Sequence, residues 1–340
     1  MSAGLAVLGV LATLLFPGAG QGLGGRRTWM IVFTAAAVIA TFAILASVWA
    51  LPVALGLRLV AAVDAWLGMR RGDRARKPNW RLMAISVVIG AFGFGTAGEF
   101  LQGFKIPSSS MYPTLVIGDH VFVERLTMKW RPPARGEVLV FTQPCAQRTY
   151  IKRVIAVPGD TVEVRCSVVY VNGTALPTSL VDARAGYLDQ VEIDGRWIPR
   201  TASRYRESHG GHTYDTFSDE GRPDRGTVEG DSHDFPRRER AMFPPSCVQG
   251  EFYEPDPRMA KQPAGTIVET KAESVATPCE PQLHFVVPKG GFFVMGDNRN
   301  NANDSRYWGV VPDELVIGRP IGIYMSSGAE GSWKRFGSLE

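Results

Sequence analysis

Ser110 is a serine placed where a nucleophile could work: it closes the run Ser108-Ser109-Ser110, with Met111-Tyr112-Pro113-Thr114-Leu115 directly after it. A hydroxyl is a weak nucleophile until a base takes its proton. No Ser/His/Asp order suggests itself, but a lysine stands further on in the strand-like run Tyr150-Ile151-Lys152-Arg153. Lysine is one of the bases that can replace histidine in this chemistry. At its ordinary pKa near 10.4, fewer than about one amine in a thousand is neutral at pH 7. Burial among Ile151, Val154 and Ile155 would disfavour the charged form and turn Lys152 into a usable base. Pro113 fixes φ and favours a turn that presents the Ser110 hydroxyl. These residues point to a membrane-bound serine protease with a Ser/Lys dyad, because the serine follows soon after the last long apolar run.

The elements ahead of the serine are membrane-like. Ala3 to Phe16 is apolar but short of the roughly 20 residues that a span needs. It lacks the preceding positive charge and the cleavage site of a signal peptide. Pro17-Gly18-Ala19-Gly20-Gln21-Gly22 interrupts it, so a short span and a re-entrant segment both stay open. Trp29 to Ala50 is long and uninterrupted enough to cross. Leu51 to Met69 carries Arg58 and Asp64, which leaves a span and an interfacial helix as alternatives, since charges in lipid are costly unless paired or snorkelling. Met83 to Gly98 is the last span. The basic loop of Arg70, Arg71, Arg74, Arg76, Lys77 and Arg81 belongs in the cytoplasm by the positive-inside rule, as do Arg26 and Arg27. A hairpin of Trp29 to Met69 turning near Trp49 to Pro52 satisfies both, and everything after about Gly98 then lies outside.

From Gly118 onward the pattern is strand-like. Val121 to Arg125, Glu137 to Phe141, Thr149 to Val157, Thr161 to Arg165 and Val168 to Val171 are short β-rich runs separated by turn residues, Asn172-Gly173 being a hairpin signal. Strands return at His284 to Pro288 and Gly291 to Met295, just before Gly296-Asp297-Asn298-Arg299. The expected organisation is an anchor over 1–99 with two to four apolar segments and a basic cytoplasmic loop at 70–81. A mainly β catalytic domain over 100–173 and 283–326 follows, holding a β- and loop-rich insertion over 174–282, with a tail at 327–340.

The formal charge of +4 is modest, and the basic residues gather beside the apolar segments, which argues against a nucleic-acid partner. Cys145, Cys166, Cys247 and Cys279 all fall in the part expected outside, where up to two disulfides can form in any of three connectivities. Cys145–Cys166, flanking the Lys152 region, and Cys247–Cys279, at the end of the insertion, are the preferred pairs. No CxxC spacing is present, and His209-x-x-His212 sits in a Gly-rich loop with no third ligand in view, so it is read as solvated histidines and no metal is expected.

Taken in order, Pro107 to Leu115, Ile117-Gly118-Asp119, Arg135-Gly136-Glu137-Val138, Tyr150 to Val154 with Pro158-Gly159-Asp160, and Gly296 to Arg299 with Asp304-Ser305-Arg306 resemble successive boxes of bacterial type I signal peptidases. The resemblance covers roughly 104–172 and 284–323. It implies a β catalytic domain, shared with repressor-type proteases, that carries N-terminal transmembrane helices and cleaves signal peptides from secretory preproteins at the outer face of the cytoplasmic membrane. It implies Ser110 as nucleophile, Lys152 as general base, and the Ser110 N–H with the Ser108 hydroxyl as oxyanion hole. Phe104, Ile106, Pro107, Val121, Val140, Tyr150 and Ile151 would line shallow pockets that admit small side chains, giving an Ala-x-Ala preference. Asp304, Ser305 and Arg306 would support the site from behind. No cofactor is implied, membrane phospholipid is an expected partner, and a monomer is the expected state. One position departs from the pattern: Ala302 stands where the family usually has a serine that orients the lysine amine. A self-cleaving Ser/Lys protease, and a silent membrane protein that binds signal peptides without cutting them, are the alternatives.

Overall fold

The computed structural model of the chain describes residues 3–71, 78–145, 148–191, 195–219, 233–238, 245, 247, 262–277 and 279–339. It divides into two compact units, Met1–Gly103 with Ile321–Tyr324, and Phe104–Pro320 with Met325–Glu340. Part of the basic loop, 72–77, lies outside the described residues.

The first unit is helical: α1 (Ala3–Leu15), α2 (Ala19–Leu23), α3 (Arg27–Ala43), α4 (Ala50–Arg71) and α5 (Trp80–Phe100). Ala50–Arg70 and Trp80–Phe100 are the two helices long and apolar enough to cross a membrane among the described residues; α1 and α3 are shorter apolar helices. The continuous span expected from Trp29 to Ala50 is therefore broken. Its helix stops at Ala43, and the Ser47 hydroxyl accepts the Trp49 N–H at 3.3 Å in the turn that leads into α4. The charged segment, by contrast, is the longer helix, and its charges are met locally. Asp64 holds Arg26 through two contacts of 2.8 and 3.1 Å and accepts from Gln21 at 3.0 Å, while Arg58 donates to the Ala54 carbonyl. The Pro17-Gly18 break is steric as well as conformational: Gly18 has φ 103°, and a Cβ there would lie 2.2 Å from Thr34 Oγ1.

Beyond the helices come β1 (Leu101–Lys105), β2 (Asp119–Glu124), β3 (Val138–Thr142), β4 (Thr149–Ala156) and β5 (Thr161–Arg165). They are followed by β6 (Val168–Val171), β7 (Thr174–Ala175), β8 (Thr178–Gln190), β9 (Trp197–His209) and β10 (His212–Asp219). The last are β11 (Thr266–Glu269), β12 (Leu283–Val286), β13 (Gly291–Met295), β14 (Val311–Pro312) and β15 (Val316–Ser326), with a short helix α6 (Ser305–Trp308) between β13 and β14. Three sheets result, ordered β1-β2-β15-β3-β4-β13-β14, β11-β12-β5-β6-β7 and β10-β9-β8. Ile155, Phe293 and Met295 of the first pack against Val162, Val164 and Phe285 of the second, so the main core lies between these two sheets. Asn172 and Gly173 both adopt positive φ, 52° and 75°, and join β6 to β7 as the hairpin signal predicts.

The insertion is more ordered than its sequence suggests. β8 and β9 are each 13 residues long and pair along most of that length. Most side chains of β8 face solvent, so the apolar alternation that reveals a half-buried strand is missing. Part of what the third sheet buries packs on the serine segment, Ala202 and Phe217 lying against Tyr112, Val116 and Ile117.

The disulfides differ from the preferred pairs. Cys145 bonds Cys247, and Cys166 bonds Cys279. Cys145 lies in the β3–β4 turn of the first sheet and Cys166 in the β5–β6 turn of the second, so proximity in sequence does not bring them together. Each instead closes a long loop, with sequence separations of 102 and 113 residues. Peptide mapping without reduction is expected to recover 145–247 and 166–279 cross-links and neither alternative. Replacing either pair by serines should cost about 2–4 kcal/mol of unfolding free energy, read from denaturant curves.

Candidate active site

The segment carrying Ser110 is held down by what surrounds it. Met111, Tyr112 and Leu115 are fully buried, and the chain coils through Tyr112 N–H to Ser109 C=O and Leu115 N–H to Met111 C=O bonds of 3.1 and 3.0 Å. Ser110 itself stays partly exposed. Lys152 sits on β4, which pairs with β3 on one side and with β13 on the other. At Lys152 only β3 is paired, opposite Leu139, because the pairing with β13 begins at Arg153, yet the side chain is only 3% exposed. Its Nζ lies 2.8 Å from Ser110 Oγ and donates to the Ile151 carbonyl at 2.9 Å. The Tyr150 ring covers it at 5.1 Å. Burial pulls the Lys152 amine down to about 8, against the opposing pull of Asp304 and Asp297. Both carboxylates are already engaged, Asp304 by Arg306 through two 2.8 Å contacts and Asp297 by Arg153 at 2.7 and 2.8 Å. Their hold on the lysine is correspondingly weak, and desolvation wins.

The Gly296-Asp297-Asn298-Arg299 segment braces the serine from the other side. Asn298 N–H donates to the Ser110 carbonyl, and Asn298 Nδ2 to the Ser109 carbonyl, both at 3.1 Å. Gly296 permits this approach, since a Cβ there would lie 2.5 Å from the Ser110 carbonyl oxygen and 2.4 Å from the Ala302 Cβ. Behind it, Asp304 accepts from Gly296 N–H, Ser305 Oγ accepts from Val294 N–H, and Arg306 donates to the Arg299 carbonyl at 2.6 Å. No residue at 302 is needed to give the amine an acceptor, because the Ile151 carbonyl supplies one. Ser108 Oγ stands 3.3 Å from Ser110 Oγ on the exposed side.

The other residues singled out from sequence fall into two groups. Phe104, Tyr150 and Ile151 are partly exposed and Pro107 is exposed, so they can meet a peptide. Ile106, Val121 and Val140 are only 3%, 0% and 1% exposed, so they belong to the core rather than to an open surface. His209 and His212 flank the Gly210-Gly211 turn between β9 and β10; His209 is half-buried rather than solvated, with Nε2 2.6 Å from the Ile155 carbonyl. The described residues contain no cluster of three or more groups able to hold a metal.

Sequence reasoning missed the insertion's contribution. Glu207 on β9 forms a buried ion pair with Arg299, 2.5 Å at its closest, and Tyr214 on β10 stacks under Arg153 at 3.7 Å. Phe217 exchanges backbone hydrogen bonds with Asp297 and Arg299, and Asp189 at the end of β8 accepts from Ser109 Oγ at 2.6 Å. Asp189 and Glu207 lie in polar sequence without periodicity, and nothing local marks them.

The family model described as "Signal peptidase, peptidase S26" matches residues 79–325. The signal peptidase I of Aquifex aeolicus is 31% identical over 227 residues, covering 66% of this chain and 76% of that one. The signal peptidase I of Buchnera aphidicola from Acyrthosiphon pisum is 29% identical over 240 residues, covering 66% and 68%, and that of Pseudomonas aeruginosa 27% over 250 residues, covering 66% and 65%. A solved signal peptidase I from Enterococcus faecalis V583 is 18% identical and overlays 56% of this chain and 97% of its own with a TM-score of 0.24, a loose superposition. The family match runs unbroken from the start of α5 through Ser110, Lys152 and the Gly296 segment into β15, and by it this chain belongs to the signal peptidases of family S26.

Proposed function

We propose that this serine endopeptidase removes signal peptides from secretory preproteins by Ser110 attack with Lys152 as general base. The observation that carries the reading is the 2.8 Å separation of a buried lysine amine and a partly exposed serine hydroxyl within the family match. With Lys152 near 8, roughly a tenth of the amine is neutral at pH 7, against about one in three thousand at its ordinary value. The neutral amine takes the Ser110 proton as Oγ bonds to the scissile carbonyl carbon. The carbonyl electrons move to oxygen, where the Ser110 N–H and the Ser108 hydroxyl meet the developing charge. Collapse breaks the C–N bond, the leaving amine takes the proton from Lys152, and an acyl-enzyme remains. Water, deprotonated by the same amine, then releases the signal peptide.

Strand pairing supports the mode of binding. β13 pairs with β4 only from Arg153 onward, which leaves one edge of Thr149 to Lys152 unpaired among the described strands. An extended peptide adding to this edge would alternate its side chains, and Phe104, Ile106, Pro107, Val121, Val140, Tyr150 and Ile151 are the residues proposed to receive them. Small residues such as Ala are expected at the −1 and −3 positions. The basic residues before α5 orient it outward, which puts the dyad on the extracytoplasmic side, near lipid headgroups, in a monomer.

Three outcomes are expected from the purified protein acting on a preprotein with an Ala-x-Ala site. Ser110→Ala and Lys152→Met should abolish cutting, and Lys152→Met, which removes a buried amine, should not lower Tm at pH 7; a wild type that binds but never cuts would sink the reading. In the wild type, log kcat/KM should climb with pH and level off above about 8, since rising pH deprotonates the base; a rate already flat from pH 6 would exclude Lys152 as that base. Ala302→Ser should change kcat by no more than about tenfold, the worth of one neutral hydrogen bond.

A further inference from the structure

We propose that Asp189 is a positioning residue of this enzyme, acting through Ser109 on the peptide plane that carries the Ser110 N–H. The inference rests on the function proposed above and assigns part of its oxyanion geometry to the insertion.

The peptide group between Ser109 and Ser110 is planar and trans, so its N–H points opposite to its C=O. Asn298 Nδ2 holds that C=O at 3.1 Å, and Asn298 N–H holds the next one, that of Ser110. These bonds orient the two carbonyls but leave the Ser109 end of the plane to its side chain. That side chain is buried and engaged twice: Ser109 Oγ donates to Asp189 Oδ1 at 2.6 Å and accepts from Asn301 Nδ2 at 2.9 Å. Asn301 also donates to Asp189 Oδ2 at 3.1 Å, which closes a ring of three side chains from three separate segments. The carboxylate is itself fixed by the Gln190 N–H at 2.9 Å, with the half-exposed Arg200 guanidinium 3.6 Å away. Tyr187, two residues earlier on β8, meets Asn298 Nδ2 with its hydroxyl at 3.3 Å and Tyr112 edge-on. The end of β8 thus grips the residues on both sides of Ser110, and touches neither its hydroxyl nor Lys152 in any contact described. Loss of Asp189 should therefore misplace the hole while leaving the base intact.

The test compares Asp189→Asn, Asp189→Ala, Ser109→Ala and the Ser109→Ala/Asp189→Ala double variant on the same preprotein, with Tm recorded for each. Asp189→Asn is isosteric and keeps one acceptor, which guards against a misfolded alanine variant. The expected result for Asp189→Ala is a fall in kcat of about 10–100-fold, the scale on which sub-ångström to 1 Å misplacement acts, with KM changed less than about threefold. Asp189→Asn should lie between it and wild type, and the double variant should be no slower than the worse single one. The pH midpoint of kcat/KM should stay at the wild-type value. An unchanged kcat in Asp189→Ala, a loss confined to KM, additive losses in the double variant, or a shifted pH midpoint would each overturn the proposal while cleavage by wild type and silence of Ser110→Ala leave the function standing. Absence of cleavage by wild type would overturn both.

Discussion

A lysine can serve as a base near neutrality only if it is kept away from water and from free carboxylates, and the surroundings of Lys152 meet that constraint. β3 pairs with β4 at Lys152 and β13 takes over the other edge from Arg153, so the amine is buried just where the strand's second edge opens. Two carboxylates of the Gly296 segment and α6 lie close enough to favour the ammonium, and each is held by its own arginine. Arg153 and Arg306 are in this sense part of the electrostatics of the lysine without touching it. The acceptor for the amine comes from the backbone of the neighbouring residue, which no substitution removes.

Much of this was legible beforehand, for physical reasons. The strands β2 to β6, β12 and β13 alternate or are wholly apolar, and turn residues bracket them, so their limits fall within a residue or two of the expected ones. Ser110 and Lys152, which the fold brings to 2.8 Å, stand out by residue type, and the turn at Asn172-Gly173 by its backbone demands. The helical unit was read less well. Hydropathy sums apolar content and is blind to a serine that turns the chain, so Trp29 to Ala50 looked continuous, while the ion pair that makes the charged α4 tolerable joins residues far apart in sequence. The disulfide pairing was misread for a related reason: it depends on which sheet each turn belongs to.

The insertion is where local sequence says least and the structure says most. Its strands expose one face to solvent, and the residues they bury are of mixed type, from Ala202, Ser203 and Thr216 to Tyr205, Glu207, Tyr214 and Phe217, so no apolar alternation marks them. A buried Glu207 would be costly alone and is tolerable only because Arg299, equally buried, arrives from far along the chain. Such a pair is a device of register: it fastens the Gly296 segment to one place on the third sheet.

The two disulfides interleave, Cys145 reaching past Cys166 to Cys247 while Cys166 reaches past Cys247 to Cys279. A backbone cut anywhere between Cys166 and Cys247 would leave Ser110 and Lys152 on one fragment and the Gly296 segment on the other, still tied by two covalent bonds. Sequential pairing would have let the same cut set those fragments loose. Crossed links therefore let a nicked chain keep its two halves together, with the loss of one peptide bond absorbed by the weave.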